Sequence, residues 1–586
     1  MKNIIIKIVS VVGLLSTLTF SSCFNLEEDV YSSVMTNNYY QTKDDVIRAV
    51  FRPFEHGFSS VITRFETEEL PADQLITPTR DDWWYDAGKW ERYHYHSWTI
   101  DETTFPSEWT GMYQGIGQTN LVIYDLDRLD PDNFDLTRDE FDAFIAQNRT
   151  LRAYYYIRLL SAFRNIILVT SADDVENEKP ENRKQVEPKV IFKFIEDELL
   201  WSIDKLPAKN GMNGNNTQQG LFTKAGAAAL LVRLYLNAEK WIGEPKWTEC
   251  ATMAQRIIDN EFGFYEIDSR WDAPFDWQNE FCNEVIFAFP STYGGTHWHY
   301  RTDNRTIYWR CNAYGAEKYY GCSKEGTMNP KYACSPSYDL NNTLYTYKLG
   351  MVTQKFKKYD GDVRYKMYKN LGNSTREGMF LFGKLPYTDG GVIKYATAPA
   401  SGYTTYIRDQ VGRFRDRAEA GIPYSYESNL SMGDHNSGWH PVKYPFYPTG
   451  EAGTMEADFV EIRLAEVYYS LAECKLRMGD ATTAGSLLNT VRKRNYPQNL
   501  HSTNLYAPDG SATLDMDEML DEWGREFLAE GRRRTDLIRF GKFCTEAWWD
   551  KNPDEDNHWE IYPLSRSTLS TNPYLVQNPG YETVSR

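Results

Sequence analysis

Residues 461–494, EIRLAEVYYSLAECKLRMGDATTAGSLLNTVRKR, carry two helices and the turn between them. Leu464, Tyr468, Leu471, Ala472 and Leu476 recur at three- and four-residue steps, so they share one helical face. Gly479 can take the left-handed backbone that ends this helix. Asp480 can then cap the next one by accepting an orphan backbone N–H. Ala481, Ala484, Leu488 and Val491 stripe the second helix, and the small side chains of Ala465, Ala472, Ala481 and Ala484 let two antiparallel helices approach closely.

Such a pair reads either as a tetratricopeptide-like repeat or as an ordinary helical hairpin. Upstream, long helical patterns recur at residues 109–129, 141–160, 189–206, 223–239 and 247–258, several with Ala-rich faces. Repetition favours an array in which stacked pairs bury one another's faces. Thr42, with Asp45 three residues on, caps a further short helix to residue 51.

The 586 residues suffice for a large core and more than one lobe. A formal net charge of −18 argues against nucleic acid, whose phosphates need clustered Lys and Arg. The 17 Trp and 41 Tyr are many, and rings with apolar faces and polar edges suit a recognition surface as well as a core. Their placement decides. Residues 66–98, with PADQLITPTRDDWWYDAGKWERYHYHSW, mix aromatics with Pro, Gly and Asp and show little period, which predicts long irregular loops. Residues 264–455 are similar apart from one buried strand at 283–289. A loop-rich stretch of that length in a compact protein is expected to be functional.

At the N-terminus, Lys2 and Lys7 flank an apolar run at residues 4–20, followed by Ser21, Ser22 and Cys23. This has the form of a signal peptide, residues 1–22, and the small residues before Cys23 resemble a bacterial lipobox. Cleavage there would leave Cys23 as a lipidated first residue, and several acyl chains give firm anchoring at about 0.8 kcal/mol per buried methylene. The acidic Glu27-Glu28-Asp29 behind it resembles a surface-export signal of Bacteroidetes lipoproteins. Cys250 and Cys474 lie in helical patterns and are expected in the core, while Cys282, Cys311, Cys322 and Cys334 could pair in three ways in an exported protein. In residues 515–543, Glu522, Arg525, Glu526 and Glu530 precede Arg532-Arg533-Arg534, which predicts an ion-pair network in preference to an anion site.

The motifs together resemble the SusD/RagB family of outer-membrane lipoproteins. The resemblance rests on Cys23, RTLRAYYYIRLL, TKAGAAALLVRLYL, the pair marked by Glu466, Ala472, Glu473, Gly479, Asn489 and Arg492, REFLAEGRRRTDLIRFGKF, and the tail YPLSRSTLSTNPYLVQNPGY. One departure is Phe163-Arg164-Asn165-Ile166-Ile167-Leu168, where the family usually has a Phe-Gly-x-Val-Pro-Leu turn. The resemblance implies a mainly α fold: four tetratricopeptide-like helix pairs against an irregular lobe with a few short strands. It divides the chain at 23–263, 264–455 (the ligand-binding lobe) and 456–586. It also implies a lipid-anchored, surface-facing outer-membrane protein without enzymatic activity. Such a protein captures a glycan and delivers it to a SusC-like TonB-dependent transporter. The alternatives are a RagB-like peptide binder and, less favoured, a glycoside hydrolase.

Sugars present C–H faces and hydroxyl edges, so a glycan site calls for exposed rings beside planar polar groups. Two stretches qualify: Asp82, Trp83, Trp84 and Tyr85, extending to Trp90 and Trp98, and Trp298, Tyr300, Trp309 and Tyr314. These eight side chains, Trp90 and Trp98 apart, are the expected ligand contacts, lining one site, and no cofactor is expected. His94 with His96, and His297 with His299, share a face if extended, but no carboxylate or cysteine stands at ligand spacing along the chain, so no metal is expected. Asp81-Asp82 and Glu68-Glu69 are the conceivable glycosidase carboxylates, yet sequence neighbours do not establish the 5–5.5 Å separation that retaining chemistry needs. Asp360-Gly361-Asp362-Val363-Arg364 suits a loop ion pair better than a cation site.

Overall fold

A computed structural model describes residues 39–172, 183–209, 220–291, 310–321, 331–372, 375–399, 402–414, 427–446 and 457–584. Cys23, Trp298, Tyr300, Trp309, Cys322 and the His297/His299 pair lie outside them.

The main helices are α1 (Lys43–Ser59), α2 (Val61–Glu69), α3 (Lys89–His94), α4 (Thr104–Leu126), α5 (Arg138–Phe163), α6 (Pro188–Lys205), α7 (Lys224–Leu236) and α8 (Trp247–Ile258). After the irregular lobe come α9 (Leu464–Arg477), α10 (Ala481–Arg492), α11 (Met516–Glu526) and α12 (Arg533–Arg539). Their starts obey local chemistry. Thr137 and Glu140 form a reciprocal capping box on α5. Thr223 accepts from the Gly226 N–H, Asp480 from Thr483 at 3.0 Å, and Asp515 from Glu518 at 2.8 Å. Gly479, at φ 88°, makes the turn between α9 and α10 that its sequence position predicts.

Each helix from α4 to α10 packs on the next in order. The array is therefore continuous in space although the chain leaves it after Ile258 and rejoins at Leu464. The return is made by a strand pair: β1 (Val285–Phe289) runs antiparallel to β2 (Phe459–Arg463), all ten residues buried. The first three residues of the 461–494 stretch are thus strand and not helix. The Leu464 N–H bonds the Glu284 carbonyl at 2.8 Å, so α9 starts directly off the sheet edge. The other described sheets in the lobe also have two strands each. No helix among the described residues is long and apolar enough to cross a membrane.

Residues 66–98 are less irregular than expected. Glu66–Glu69 complete α2, and α3 buries Trp90, Tyr93 and His94. Trp98 is core as well, edge-on to Trp559 and Tyr562 at 5.1 and 5.2 Å. Trp90 and Tyr93, one helical turn apart, carry a period too short to stand out between Gly88 and the following loop. The described cysteines form no disulfide: Cys282, Cys311 and Cys334, which could have paired, are free and buried, like Cys250, Cys474 and Cys544.

The lobe and the helices meet at a buried set of charges. Arg463 reaches Glu284 at 3.1 Å, Glu526 at 2.9 Å and Glu530 at 2.9 Å. Arg494 also pairs with Glu284 and, at 2.8 Å, with Glu526. Arg364 bridges Asp362 at 2.7 Å and Glu526 at 3.0 Å, which makes the 360–364 segment an ion pair. Lys443 pairs with Glu530 and donates to the Glu526 carbonyl at 2.7 Å. Four cations face four carboxylates. The surrounding Arg494, Arg463 and Arg364 hold the Glu526 carboxyl far below its usual range in spite of full burial. The Arg532–Arg534 run is equally absorbed: Arg532 pairs with Asp536, Arg533 with Asp73 and Arg534 with Glu68.

Removing one buried partner strands the others. Glu526→Gln keeps the shape and deletes the charge that three guanidiniums share, and should cost about 3–5 kcal/mol in urea melts. A loss under about 1 kcal/mol, the level of an exposed pair, would contradict a load-sharing network.

Glu69 supplies a pH test. It is fully buried, accepts from the Gly531 and Arg532 N–H groups at 2.7 and 3.0 Å, and burial pushes its carboxyl up from 4.5 to about 7. A folded-state value above the unfolded one means that the folded chain holds the proton more tightly. The stabilisation is therefore complete below about pH 4.5 and disappears as pH rises through about 7, a change of about 3 kcal/mol. The stability difference between wild type and Glu69→Gln should shift by that amount in favour of the variant from pH 4.5 to 8; a flat difference would refute it.

Candidate functional site

The segment from Arg80 to Gly88 departs most from ordinary backbone. Asp81, Trp84, Asp86 and Ala87 have φ of 53°, 69°, 42° and 53°, in the left-handed region that non-glycine residues avoid. Each such residue costs of order 1–3 kcal/mol and persists only where its surroundings over-determine it. Those surroundings are visible. Arg80 and Trp83 exchange backbone hydrogen bonds, both 2.9 Å, which close a tight turn over Asp81 and Asp82. The Arg80 side chain is buried and donates through Nη1 to the carbonyls of Asp434 (3.0 Å) and Ser437 (2.6 Å). No carboxylate among the described residues bonds to it, and burial pulls this guanidinium down to about 10.

A second loop, residues 430–437, lies alongside. Thr79 donates to Leu430 O, Gly433 to Thr79 O and Asp81 to Gly433 O, at 2.8, 3.0 and 3.1 Å. A Cβ on Gly433 would sit 2.8 Å from Thr79 O, so this close pairing requires glycine. The second loop is itself tied down, because the Asp434 carboxylate accepts from the N–H groups of Phe414 (2.7 Å) and Asn436 (2.9 Å).

On this frame the rings gather. Trp83 stands 41% exposed, with Trp84 at 6.2 Å and Tyr314 edge-on at 5.8 Å. Tyr314 is edge-on to His435 at 4.8 Å, and burial raises its phenol to about 12. Tyr403 donates to Asp81 Oδ2 at 3.3 Å and accepts from the His435 N–H at 3.1 Å. Lys331 Nζ lies over the Trp84 ring at 4.8 Å and pairs with Asp86 at 3.1 Å. The Trp84 indole N–H is buried and meets no acceptor among the described residues. Tyr85, 54% exposed, and the exposed Asp82 form the tip.

Of the eight expected contacts, the structure brings together Trp83, Trp84 and Tyr314, from segments far apart in sequence, and places Asp82 and Tyr85 beside them. Trp298, Tyr300 and Trp309 lie outside the described residues. Sequence inspection missed Tyr403 and His435. Tyr403 carried a weak signal, as an aromatic in the Gly- and Thr-rich run at 402–406; His435 carried none. The conceivable glycosidase carboxylates do not form a cleft pair. Glu68 and Glu69 are buried against the start of α12, with Glu68 accepting from Thr535, while Asp81 packs under Tyr403 and Asp82 faces outward.

The His94–His96 segment does gain ligand-type neighbours in space. His96, Cys544 and Asp554 have donor atoms within 4.8 Å of one another. The His96 nitrogens are already used, Nε2 at 2.8 Å from Pro71 O and Nδ1 at 2.7 Å from Asp554, and Lys551 pairs with Asp554 at 3.0 Å. His94 faces the Trp549 carbonyl at 3.2 Å. His94 Nε2 and the His96 ring thus tie the loop to residues 549–554, and both nitrogens of His96 are engaged.

The arrangement offers a half-exposed aromatic face beside the exposed carboxylate of Asp82, on a backbone held by its neighbouring loop. It can stack a flat apolar face and bond hydroxyls at its rim. Because Gly433 sets the contact between the two loops, Gly433→Ala should force them apart, at about 1–3 kcal/mol in thermal melts. It should also raise tryptophan quenching by acrylamide as Trp84 opens; unchanged quenching and melting would count against the pairing.

Comparison with known proteins adds the relatives. A sequence model described as the SusD family matches residues 283–581, and one described as "Starch-binding associating with outer membrane" matches residues 63–236. The chain is 24% identical over 564 residues to the starch-binding protein SusD of Bacteroides thetaiotaomicron, covering 90% of this chain and 86% of that protein. Among solved structures, NanU of B. fragilis is similar with a TM-score of 0.66 at 18% identity, covering 94% of this chain and all (100%) of that one. A laminarin-binding SusD-like protein is similar with a TM-score of 0.55 at 18% identity, covering 92% of this chain and 100% of that one.

Proposed function

The chain belongs to the SusD family, and from that premise we propose that it is a glycan-binding, non-enzymatic lipoprotein of the outer-membrane surface. It is anchored through Cys23 and delivers an oligo- or polysaccharide to a SusC-like TonB-dependent transporter. Residues 264–455 are its ligand-binding lobe, inserted between an N-terminal part (23–263) and a C-terminal helical part (456–586).

The observation that carries this is the Trp83–Tyr314 face. A half-exposed indole is held edge-on to a tyrosine by a loop with four non-glycine residues in left-handed backbone. Strain of that kind is retained where it serves a site. An aromatic platform suits the C–H face of a sugar ring, and the exposed carboxylate of Asp82 beside it is set to meet hydroxyls. An extended polar groove, which a peptide would need, is not what these rings form.

The test uses the soluble protein starting after Cys23. Gel retardation against soluble starch, laminarin, xyloglucan, galactomannan and pectic galactan finds the ligand, and calorimetry measures it. Trp83→Ala and Tyr314→Ala should each weaken binding about tenfold or more, since a well-stacked ring contributes about 1.5–3 kcal/mol of burial. Unchanged affinity in both variants sinks the assignment, and reducing-sugar release abolished by one Asp or Glu substitution would replace it with hydrolysis.

A further inference from the structure

We propose that a second groove, beside Trp277 and Phe281, is an additional contact site for a neutral sugar residue of the bound glycan. This rests on the glycan reading above, but shares no residue with the Trp83 site. The groove has a volume of about 640 Å³ and is lined by Asp268, Arg270, Asp276, Trp277, Phe281 and Thr375, among others. That lies within the size of small-ligand sites, roughly 300–1,000 Å³.

Its composition is that of sugar recognition. Phe281 is 53% exposed, unusual for a phenylalanine on a loop that is otherwise well anchored, and Trp277 is half-buried next to it. Arg270, in the same lining, forms a planar charged fork with two carboxylates. Arg270 donates through Nε to Asp272 (3.2 Å) and through Nη2 to Asp272 (2.7 Å) and Asp276 (2.6 Å). None of the described hydrogen bonds uses Nη1, the side chain is 47% exposed, and Arg270 is part of the groove lining. A guanidinium and a carboxylate side by side match vicinal hydroxyls, one donating and one accepting. The charge selects against acidic sugars: Asp268, Asp272 and Asp276 outnumber Arg270 and the buried Arg376 behind them.

The platform is also fixed in advance. Asn279 donates to Pro274 O (2.8 Å) and Asp458 O (2.9 Å) and accepts from the Asp458 N–H (2.8 Å). Arg494 donates to Asp268 O at 3.1 Å. Arg376 lies over Trp271 at 4.7 Å and donates to the carbonyls of Val442 and Lys443 at 2.9 and 2.6 Å. Rigid placement lowers the ordering cost of binding. Two contact sites on one chain would favour long glycans over short ones, because the second contact is intramolecular.

The test compares Trp277→Ala/Phe281→Ala with Trp83→Ala by gel retardation in the five polysaccharides named above, and by calorimetry with hexasaccharides of the same backbones. Both altered rings in the double variant are partly exposed, so its melting temperature should stay near wild type; Arg270→Gln, which keeps both rings, is the second variant. The expected result is a loss of about three- to tenfold for the polysaccharide that wild type binds, with hexasaccharide affinity unchanged. Trp83→Ala should lose both. Wild-type polysaccharide affinity in both the double variant and Arg270→Gln overturns this proposal and leaves the Trp83 site standing. Loss in the double variant with none in Trp83→Ala overturns the Trp83 site and keeps this groove. A wild-type protein retarded by none of the five overturns both.

Discussion

The pairing of Arg463 with Glu526 is the interaction on which the rest of the molecule turns. Arg463 ends the strand that brings the chain back to the helical array, and Glu526 ends α11. Around them Glu284 immediately precedes β1, Arg364 and Lys443 come from the irregular lobe, and Arg494 lies just past α10. Burying so many charges is expensive, and a well-packed apolar cluster of equal volume could be as stable or more so. What apolar side chains lack is a unique arrangement. Four cations and four carboxylates find partners in one relative placement of these segments, and any slip leaves a buried charge alone.

That constraint explains how an array can be interrupted. Helices α8 and α9 pack together as neighbours although about two hundred residues intervene. Closing so long a loop costs little more than closing a moderate one, since the entropy grows only with the logarithm of length. The difficulty is registration, and the β1–β2 ladder with the charges at its end supplies it. The lobe in turn holds the loops of the candidate site, Arg80 of one being tied to Asp434 and Ser437 of the other. Arg494 reaches from the same network to Asp268, so the second groove is positioned by the same charges.

The helices were legible in the sequence because each is a local matter. Gly479, Asp480, Thr137 and Thr223 do what their chemistry and spacing imply, and the Leu464–Leu476 stripe is buried or half-buried where expected. The Glu522–Glu530 and Arg532–Arg534 charges were legible as ion-pair formers by their opposite signs, but their partners were not: the helix ends at Glu526, and Arg533 and Arg534 pair with Asp73 and Glu68 from a distant segment. What could not be read was every contact between distant segments. Phe459–Arg463 looks helical until Val285–Phe289 is beside it. Cys544 and Asp554 approach His96 only in three dimensions. In the site, Trp83 and Trp84 announced themselves by composition, whereas His435 and Tyr403 became relevant only once the 430–437 loop lay against residues 79–83.

The two kinds of region differ in how they treat local rules, and that difference is itself informative. In the array, propensity, capping and packing agree, as they do in sequences with one dominant minimum. Around Asp81–Ala87 they conflict: four residues with a Cβ take left-handed backbone, a buried indole N–H meets no acceptor among the described residues, and a tryptophan is 41% exposed. Left alone, such a loop would relax. It persists because Arg80, buried without a carboxylate, gives its hydrogen bonds to two carbonyls of a neighbouring loop that has no slack, and because Gly433 lets the two backbones touch. A rigid scaffold thus turns local strain into a presented aromatic surface. Stability gathered in the charge network and the helical array is what allows the loops of the candidate site to be individually unfavourable.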